Sequence, residues 1–493
     1  VKKTQGTVEQ SVAEPEKDRI RKPRRFDLLR FGPLKALLRS RLFQPLVQLP
    51  FVLLFFFLLY AGLFEYPAAG GLTVVTTWVV WWAGIVFLVA SLGKVWCTVC
   101  PWNAVADWLN RLALFRRVTE KDTLSAKRPW PRGLRNITLA TSLFVVLVWF
   151  ELLPGLDMVV NPRATAVLGL LMLAFSVVSV LVYERSSFCR YGCLVGRVSG
   201  LYSMFAPLEL RARDRALCRT CETKDCSRGN ARGYACPTFE HLGTMDRNTY
   251  CILCTECIKT CPKDNVALNL RPVGFDLLHL AKTRPDEAYL ALAMLSLTIF
   301  HIITMTPTWT SMERFLRATV GMHRVAAYTS LMGLILAVPV FIHLAVTSAS
   351  RFLSRATGVT RTDAFIVFAY PLLPLALFGH LAHNAEHLLE EGGYLVPALT
   401  DPLNRGWDLL GLGQEYVVKP LLSPGWTEAM KLLFLVAGFC YALVVAFRAA
   451  RMLYGRSSRF ALTLVPVLLS LVAYALFQLW ILGKPMVSRL GLG

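Results

Sequence analysis

Cys218-x2-Cys221-x4-Cys226-x9-Cys236-Pro237, followed by Cys251-x2-Cys254-x2-Cys257-x3-Cys261-Pro262, is the stretch on which the reading of this 493-residue chain turns. In the second run, three thiolates at two-residue spacing hold three irons of one cubane, and the fourth, followed by proline, ligates a neighbouring cluster. On this pattern Cys251, Cys254, Cys257 and Cys236 hold one [4Fe-4S] cluster, and Cys218, Cys221, Cys226 and Cys261 hold the other. A zinc site favours two separated CxxC pairs, and a disulfide framework needs an oxidising compartment. A triple run closed by x3-Cys-Pro fits neither.

Outward from these cysteines the composition changes. Residues 184–284 carry sixteen Lys or Arg against ten acids, as suits a soluble domain holding anionic thiolate clusters beside an anionic membrane surface. The chain as a whole is 55% hydrophobic with a mean hydropathy of +0.48, which belongs to integral membrane proteins. The fold class expected is a polytopic α-helical membrane protein of about nine spans, with an inserted cytoplasmic two-cluster ferredoxin-like domain. The apolar runs lie over residues 42–64, 72–93, 136–153, 164–183, 288–305, 325–348, 364–387, 432–447 and 460–483.

Four domains follow: a basic cytoplasmic leader (1–41), a four-helix membrane domain of two repeated hairpins (42–183), the cytoplasmic double-cluster domain (184–284), and a five-helix membrane domain (285–493) with an outer loop at 390–430. The leader has twelve Lys or Arg against five acids. By the positive-inside rule the amino terminus and cluster domain face the cytoplasm of a bacterial-type inner membrane, with the carboxyl terminus outside. Arg314, Arg317 and Arg324 go against that rule. The first apolar run begins behind a long charged leader, so it is expected to remain as a span. The net charge of +21 follows the loops and no groove-reading motif accompanies it, which excludes a nucleic-acid partner.

Each amino-terminal hairpin ends inside on an aromatic residue and a cysteine pair: Trp96-Cys97-Thr98-Val99-Cys100-Pro101-Trp102, then Phe188-Cys189-Arg190-Tyr191-Gly192-Cys193. The repeat suggests a diverged duplication. Side by side, the hairpins would bring Cys97, Cys100, Cys189 and Cys193 together as a third metal centre, iron–sulfur in kind, offset by Lys94, Arg190 and Arg197. The bland alternative is that these cysteines only pack, which is also the reading for the isolated Cys440.

In the second half, His301, His343, His380, His383 and His387 fall on or near apolar runs. His380, His383 and His387 share one helix face, and intramembrane ionisable groups are functional candidates by default. For His301, His380 and His383 two uses compete: axial ligation of haem b, or a quinone-headgroup and proton site. Interhelical hydrogen bonding is the structural alternative.

Taken together, the Cys97–Trp102 and Cys189–Cys193 motifs and the eight-cysteine run make residues 42–275 resemble the polyferredoxin-type membrane iron–sulfur proteins. That family includes the membrane quinol-dehydrogenase subunit of periplasmic nitrate reduction, the nitrous-oxide reductase regulator and an oxidase-assembly protein. The resemblance implies electron exchange with the quinone/quinol pool and a partner redox protein, in the manner of a quinol dehydrogenase subunit. The alternative it leaves open is an assembly or regulatory factor that uses its clusters to mature a metalloenzyme. The five carboxyl-terminal runs fall outside the resemblance.

Overall fold

The structure, a computed structural model, describes residues 25–66, 70–111, 123–280, 282–356, 358–412, 417–455 and 458–488. The first 24 residues of the basic leader lie outside the described residues. Eight described helices are long and apolar enough to cross a membrane: Phe43–Phe64, Leu72–Leu92, Pro162–Val182, Pro285–Thr304, Arg324–Ser354, Arg361–Thr400, Pro424–Tyr454 and Phe460–Leu482. Helix is the form such runs must take, because it satisfies every backbone donor and acceptor within the segment. Their starts are set locally. Asn161 caps Pro162–Val182 by accepting from Ala164 N at 3.1 Å, and Thr360 forms a reciprocal capping box with Asp363.

The apolar run at 136–153 behaves differently from the about nine spans expected. It forms a helix only over Thr138–Glu151, fourteen residues, or about 21 Å against a hydrocarbon core of about 30 Å. The chain turns at Leu152–Gly155, where Pro154 lacks an N–H donor and Gly155 takes a φ of +93°. Arg317 and Arg324, which oppose the charge rule, both pair with Glu313 on or beside a further helix, Pro307–Val320.

One continuous apolar core joins the two helical halves. Pro285–Thr304 is buried along most of its length, and Leu372–Glu391, the inner part of Arg361–Thr400, packs on Pro424–Tyr454. Outward, the long helices expose Phe175, Phe341, Leu433 and Leu469, an apolar belt of a size that water-soluble monomers avoid. Leu194, Leu201, Tyr202, Met204 and Phe205, although within the 184–284 segment, belong to this helical core.

Beyond Pro207 the insert becomes a small α+β unit. Its sheet has strands β1 (Phe26–Asp27), β2 (Leu208–Ala212) and β3 (Val266–Leu270) in the order β1-β3-β2, all antiparallel. Part of the leader thus folds onto the insert: Lys35 and Arg39 pair with Asp264, and Arg25 Nε lies 3.1 Å from Glu209. Beneath the sheet Arg271 and Arg211 share Glu209 and Asp276 in a buried charge network.

Candidate metal centres and a buried histidine row

The eight cysteines of the insert fall into two interlocking neighbourhoods. Cys236, Cys251, Cys254 and Cys257 line one cavity together with Cys226, walled by Leu210, Ile252, Leu242 and Met245. Burial raises the thiol pKa of Cys251 to about 11 and those of Cys254 and Cys257 well above the usual range, with neighbouring sulfurs raising each further. In the bare protein these thiols keep their protons, so cluster binding must release them. Leu253 and Thr255, on either side of Cys254, hold left-handed backbone at φ +54° and +65°. Strain of this kind in non-glycine residues clusters at binding sites.

Around the second neighbourhood, Asn265 Nδ2 donates to Cys218 Sγ and Asn265 N to Cys261 Sγ, each at 3.3 Å. One residue thereby ties together the two ends of a ligand set, and N–H donors to sulfur also tune a cluster's potential. Cys226 and Cys221 act electrostatically on the same group. Cys221 lies toward the surface, and the backbone N–H of Lys224 holds its thiol below the ordinary value.

The four paired cysteines converge from two copies of one local plan. Cys97 sits on the short helix Val95–Val99, and Cys100 precedes Pro101–Arg111, with proline at a position where a missing N–H costs nothing. Cys189 sits on the short helix Ser187–Tyr191, and Cys193 caps Leu194–Tyr202 by accepting from Gly196 N at 3.2 Å. Burial first, then Cys193, Cys100 and Cys97, raises the Cys189 thiol. Trp81, from a π-helical turn over Val75–Trp81, packs tilted against Trp96 and edge-on against Trp102 nearby.

Two cations face these sulfurs. Lys94 is 1% exposed and Arg197 fully buried; burial, then Arg197, lowers Lys94 to about 8. Lys94 Nζ and Arg197 Nε and Nη1 have no hydrogen-bond partner. Buried cations left in this way are expensive, and an anionic iron–sulfur core between four thiolates and two cations resolves the imbalance. The residues therefore fit such a group. Among the described residues no three His, Cys, Asp or Glu side chains are arranged to hold a single metal ion.

These two regions are joined directly. Thr98, between Cys97 and Cys100, donates through Oγ1 to Ile252 O at 3.0 Å and Leu253 O at 3.2 Å, beside Cys251 and Cys254. Gln48 Nε2 holds the Thr98 carbonyl at 2.9 Å. Arg190 reaches Thr238 O and, at 2.6 Å, Glu240. Gly200 approaches so closely that a Cβ there would lie 2.6 Å from Thr249 O.

In the helical core His301, His380 and His383 come together, their rings 6.0 Å (His301 to His380) and 6.5 Å (His301 to His383) apart. His387 stands 4.7 Å from His383. Glu151 Oε2 lies 3.2 Å from His301 Nε2, Tyr202 Oη 2.6 Å from His380 Nδ1, and Glu391 Oε2 3.0 Å from His387 Nδ1. His343 is apart from this row, bonded to Phe365 O, and Cys440 is exposed on its helix. Sequence reasoning missed Glu151 and Tyr202. The signal available for Glu151 was a lone acid ending an otherwise apolar run; for Tyr202 there was none.

A family model described as a 4Fe-4S binding domain matches residues 74–121 and 165–209. Those segments contain Cys97, Cys100, Cys189 and Cys193 and end before the eight-cysteine run. The match supports an iron–sulfur protein. No curated protein and no solved structure matches the chain.

Proposed function

We propose that the chain is a bacterial-type inner-membrane electron-transfer protein that oxidises quinol within its helical core and delivers electrons to clusters on the cytoplasmic side. Three iron–sulfur centres form the wire: one on Cys97, Cys100, Cys189 and Cys193, one on Cys236, Cys251, Cys254 and Cys257, and one on Cys218, Cys221, Cys226 and Cys261. Clusters of this kind carry one electron at a time and so divide a two-electron oxidation. The protein supplies the spacing, the insulation and a place for the protons.

The observation that carries this reading is the helix Leu194–Tyr202. Its cap is Cys193, and its last residue, Tyr202, meets His380. Nine residues at ~1.5 Å each separate the two by about 13 Å, a span short enough for electron tunnelling. From the same four thiols the Thr98 hydrogen bonds lead to the Cys251–Cys257 loop. A buried path therefore connects the histidines with the insert, which favours a wire over a maturation factor. The contacts of His301 Nε2 with Glu151, His380 Nδ1 with Tyr202 and His387 Nδ1 with Glu391 set proton donors and acceptors along the row, which suits the quinol and proton role.

The test is anaerobic mixing of the purified protein with a short-chain benzoquinol, followed by electron paramagnetic resonance. Reduced-cluster signals are expected from the wild type and not from His380→Leu, while dithionite reduces both. If quinol reduces no cluster in the wild type, the reading falls.

A further inference from the structure

The histidine row continues past the redox site, and we infer that its far part is a proton exit to the membrane face opposite the clusters. This rests on the quinol reading above. The near end of Leu372–Glu391 is fixed beside the insert: Tyr370 Oη accepts from Arg284 N at 3.1 Å and donates to Glu287 Oε2 at 2.6 Å, and Glu287 also pairs with Arg247 at 2.7 Å. Counted from Tyr370, His380 lies about 15 Å along the helix and Glu391 about 30 Å along it, the thickness of a bilayer core. The redox site is therefore at mid-depth, and Glu391 at the far end.

His380, His383, His387 and Glu391 follow one another at spacings of three, four and four, on one helix face. All four are buried. His387 Nδ1 touches Glu391 Oε2, and Glu391 Oε1 accepts from Ser488 Oγ at 2.8 Å in the carboxyl-terminal segment, which also bonds through Val487 N to Met305 O. From the packed helices, Glu151 and His301 face the near part of the row. Lys431 stands beside the far part, held by Glu386 at 3.0 Å and by Glu428 at 2.6 Å, the latter side chain exposed. Glu151 is fully buried, and its Oε1 has no hydrogen-bond partner. A buried oxygen without a partner is costly, and a substrate hydroxyl donating to it would supply the missing hydrogen bond.

A quinol loses two electrons, one to each of two oxidised clusters, and becomes quinone. Its two hydroxyl O–H bonds break, and the protons pass to His380 and to the Glu151–His301 pair. They then travel through His383 and His387 to Glu391 and water. The 6.5 Å between the His301 and His383 ring centroids is a gap of a size that one water can bridge. Electrons leave toward the insert and protons toward the opposite face, so each turnover separates charge across the membrane.

The experiment uses the whole protein in sealed vesicles, with a short-chain benzoquinol as donor and membrane-impermeant ferricyanide as oxidant for insert-outward molecules. Dyes report pH inside and outside. The expected result is acid in the lumen, opposite the insert, with two protons per quinol oxidised. Glu391→Gln should slow that release about tenfold or more and enlarge the solvent deuterium effect, with iron content and dithionite reduction unchanged. A purely structural Glu391 would leave the deuterium effect where it was. Should Glu391→Gln lose iron, His387→Asn carries the same test. Acid on the insert side, or unaltered release and deuterium effect in both variants, overturns the exit while quinol oxidation itself stands. Failure of the wild type to oxidise quinol overturns the functional reading and the exit together.

Discussion

Residues 97–261 hold every cysteine of the chain except Cys440, in short runs whose ligands are sequence neighbours. Residues 285–493 assemble their polar row from two helices of their own, Pro285–Thr304 and Leu372–Glu391, and from Glu151 and Tyr202, which lie far back in the sequence. The difference is one of chemistry. A cluster needs several thiolates within a few ångströms, which a turn with two-residue spacing provides, so the ligand code is local. A proton site needs single groups at matched depth on different helices, so its code appears only once the helices pack.

Loss of a cluster ligand should have the most visible consequence. Cys254→Ser should remove one cubane and unsettle its neighbour through Cys226 and Cys261, taking at least about four of roughly twelve irons; iron analysis and electron paramagnetic resonance read the loss. Iron contents equal to wild type would separate Cys254 from the ligand set.

Next in size is the joint between the halves. Glu287 is buried and receives Arg247, Tyr250 and Tyr370. Glu287→Gln takes from Arg247 its buried carboxylate, leaving it the part-exposed Asp246 at 3.4 Å, and a loss of about 3 kcal/mol is expected. Denaturant unfolding in detergent measures it; a loss under 1 kcal/mol or so would mean the halves are held together elsewhere.

Thr98→Val should act more gently. It leaves two buried carbonyls without their donor, about 1–3 kcal/mol, and keeps the volume. Iron content should hold, while quinol-driven reduction of the insert slows and dithionite reduction does not. Equal quinol rates would remove the Thr98 bridge from the path.

The smallest effect concerns Glu65, just past the end of Phe43–Phe64. Burial raises its carboxyl to about 7, partly opposed by the backbone N–H groups of Thr73 and Leu72. The folded protein thus binds this proton more tightly than the unfolded chain. Its contribution is fully present below the unfolded value of 4.5 and is lost as pH rises through about 7. Glu65→Gln should flatten stability across that window and raise it on the alkaline side, as thermal scans at several pH values would record.

Against these expectations, the legible and illegible parts of the sequence can be told apart. The apolar runs announce long helices because length and hydropathy are additive along the chain. The run at 136–153 is helical only over Thr138–Glu151, because the chain already turns at Leu152 and composition does not weigh a turn. Likewise Leu194–Phe205 looks like part of a soluble insert, yet it enters the helical core through Leu201 and Tyr202. The cysteine pairs are visible by repetition, and Lys94 and Arg197 by adjacency, but the burial of Lys94 Nζ and Arg197 Nε and Nη1 without hydrogen-bond partners appears only in three dimensions.

The measurement that bears most directly on this account replaces Cys97, Cys100, Cys189 and Cys193 together by serine and follows the insert clusters under quinol and under dithionite. The account predicts loss of about four irons, insert clusters that dithionite still reduces, and no reduction of them by quinol. Full iron content with quinol reduction as fast as in the wild type would contradict it.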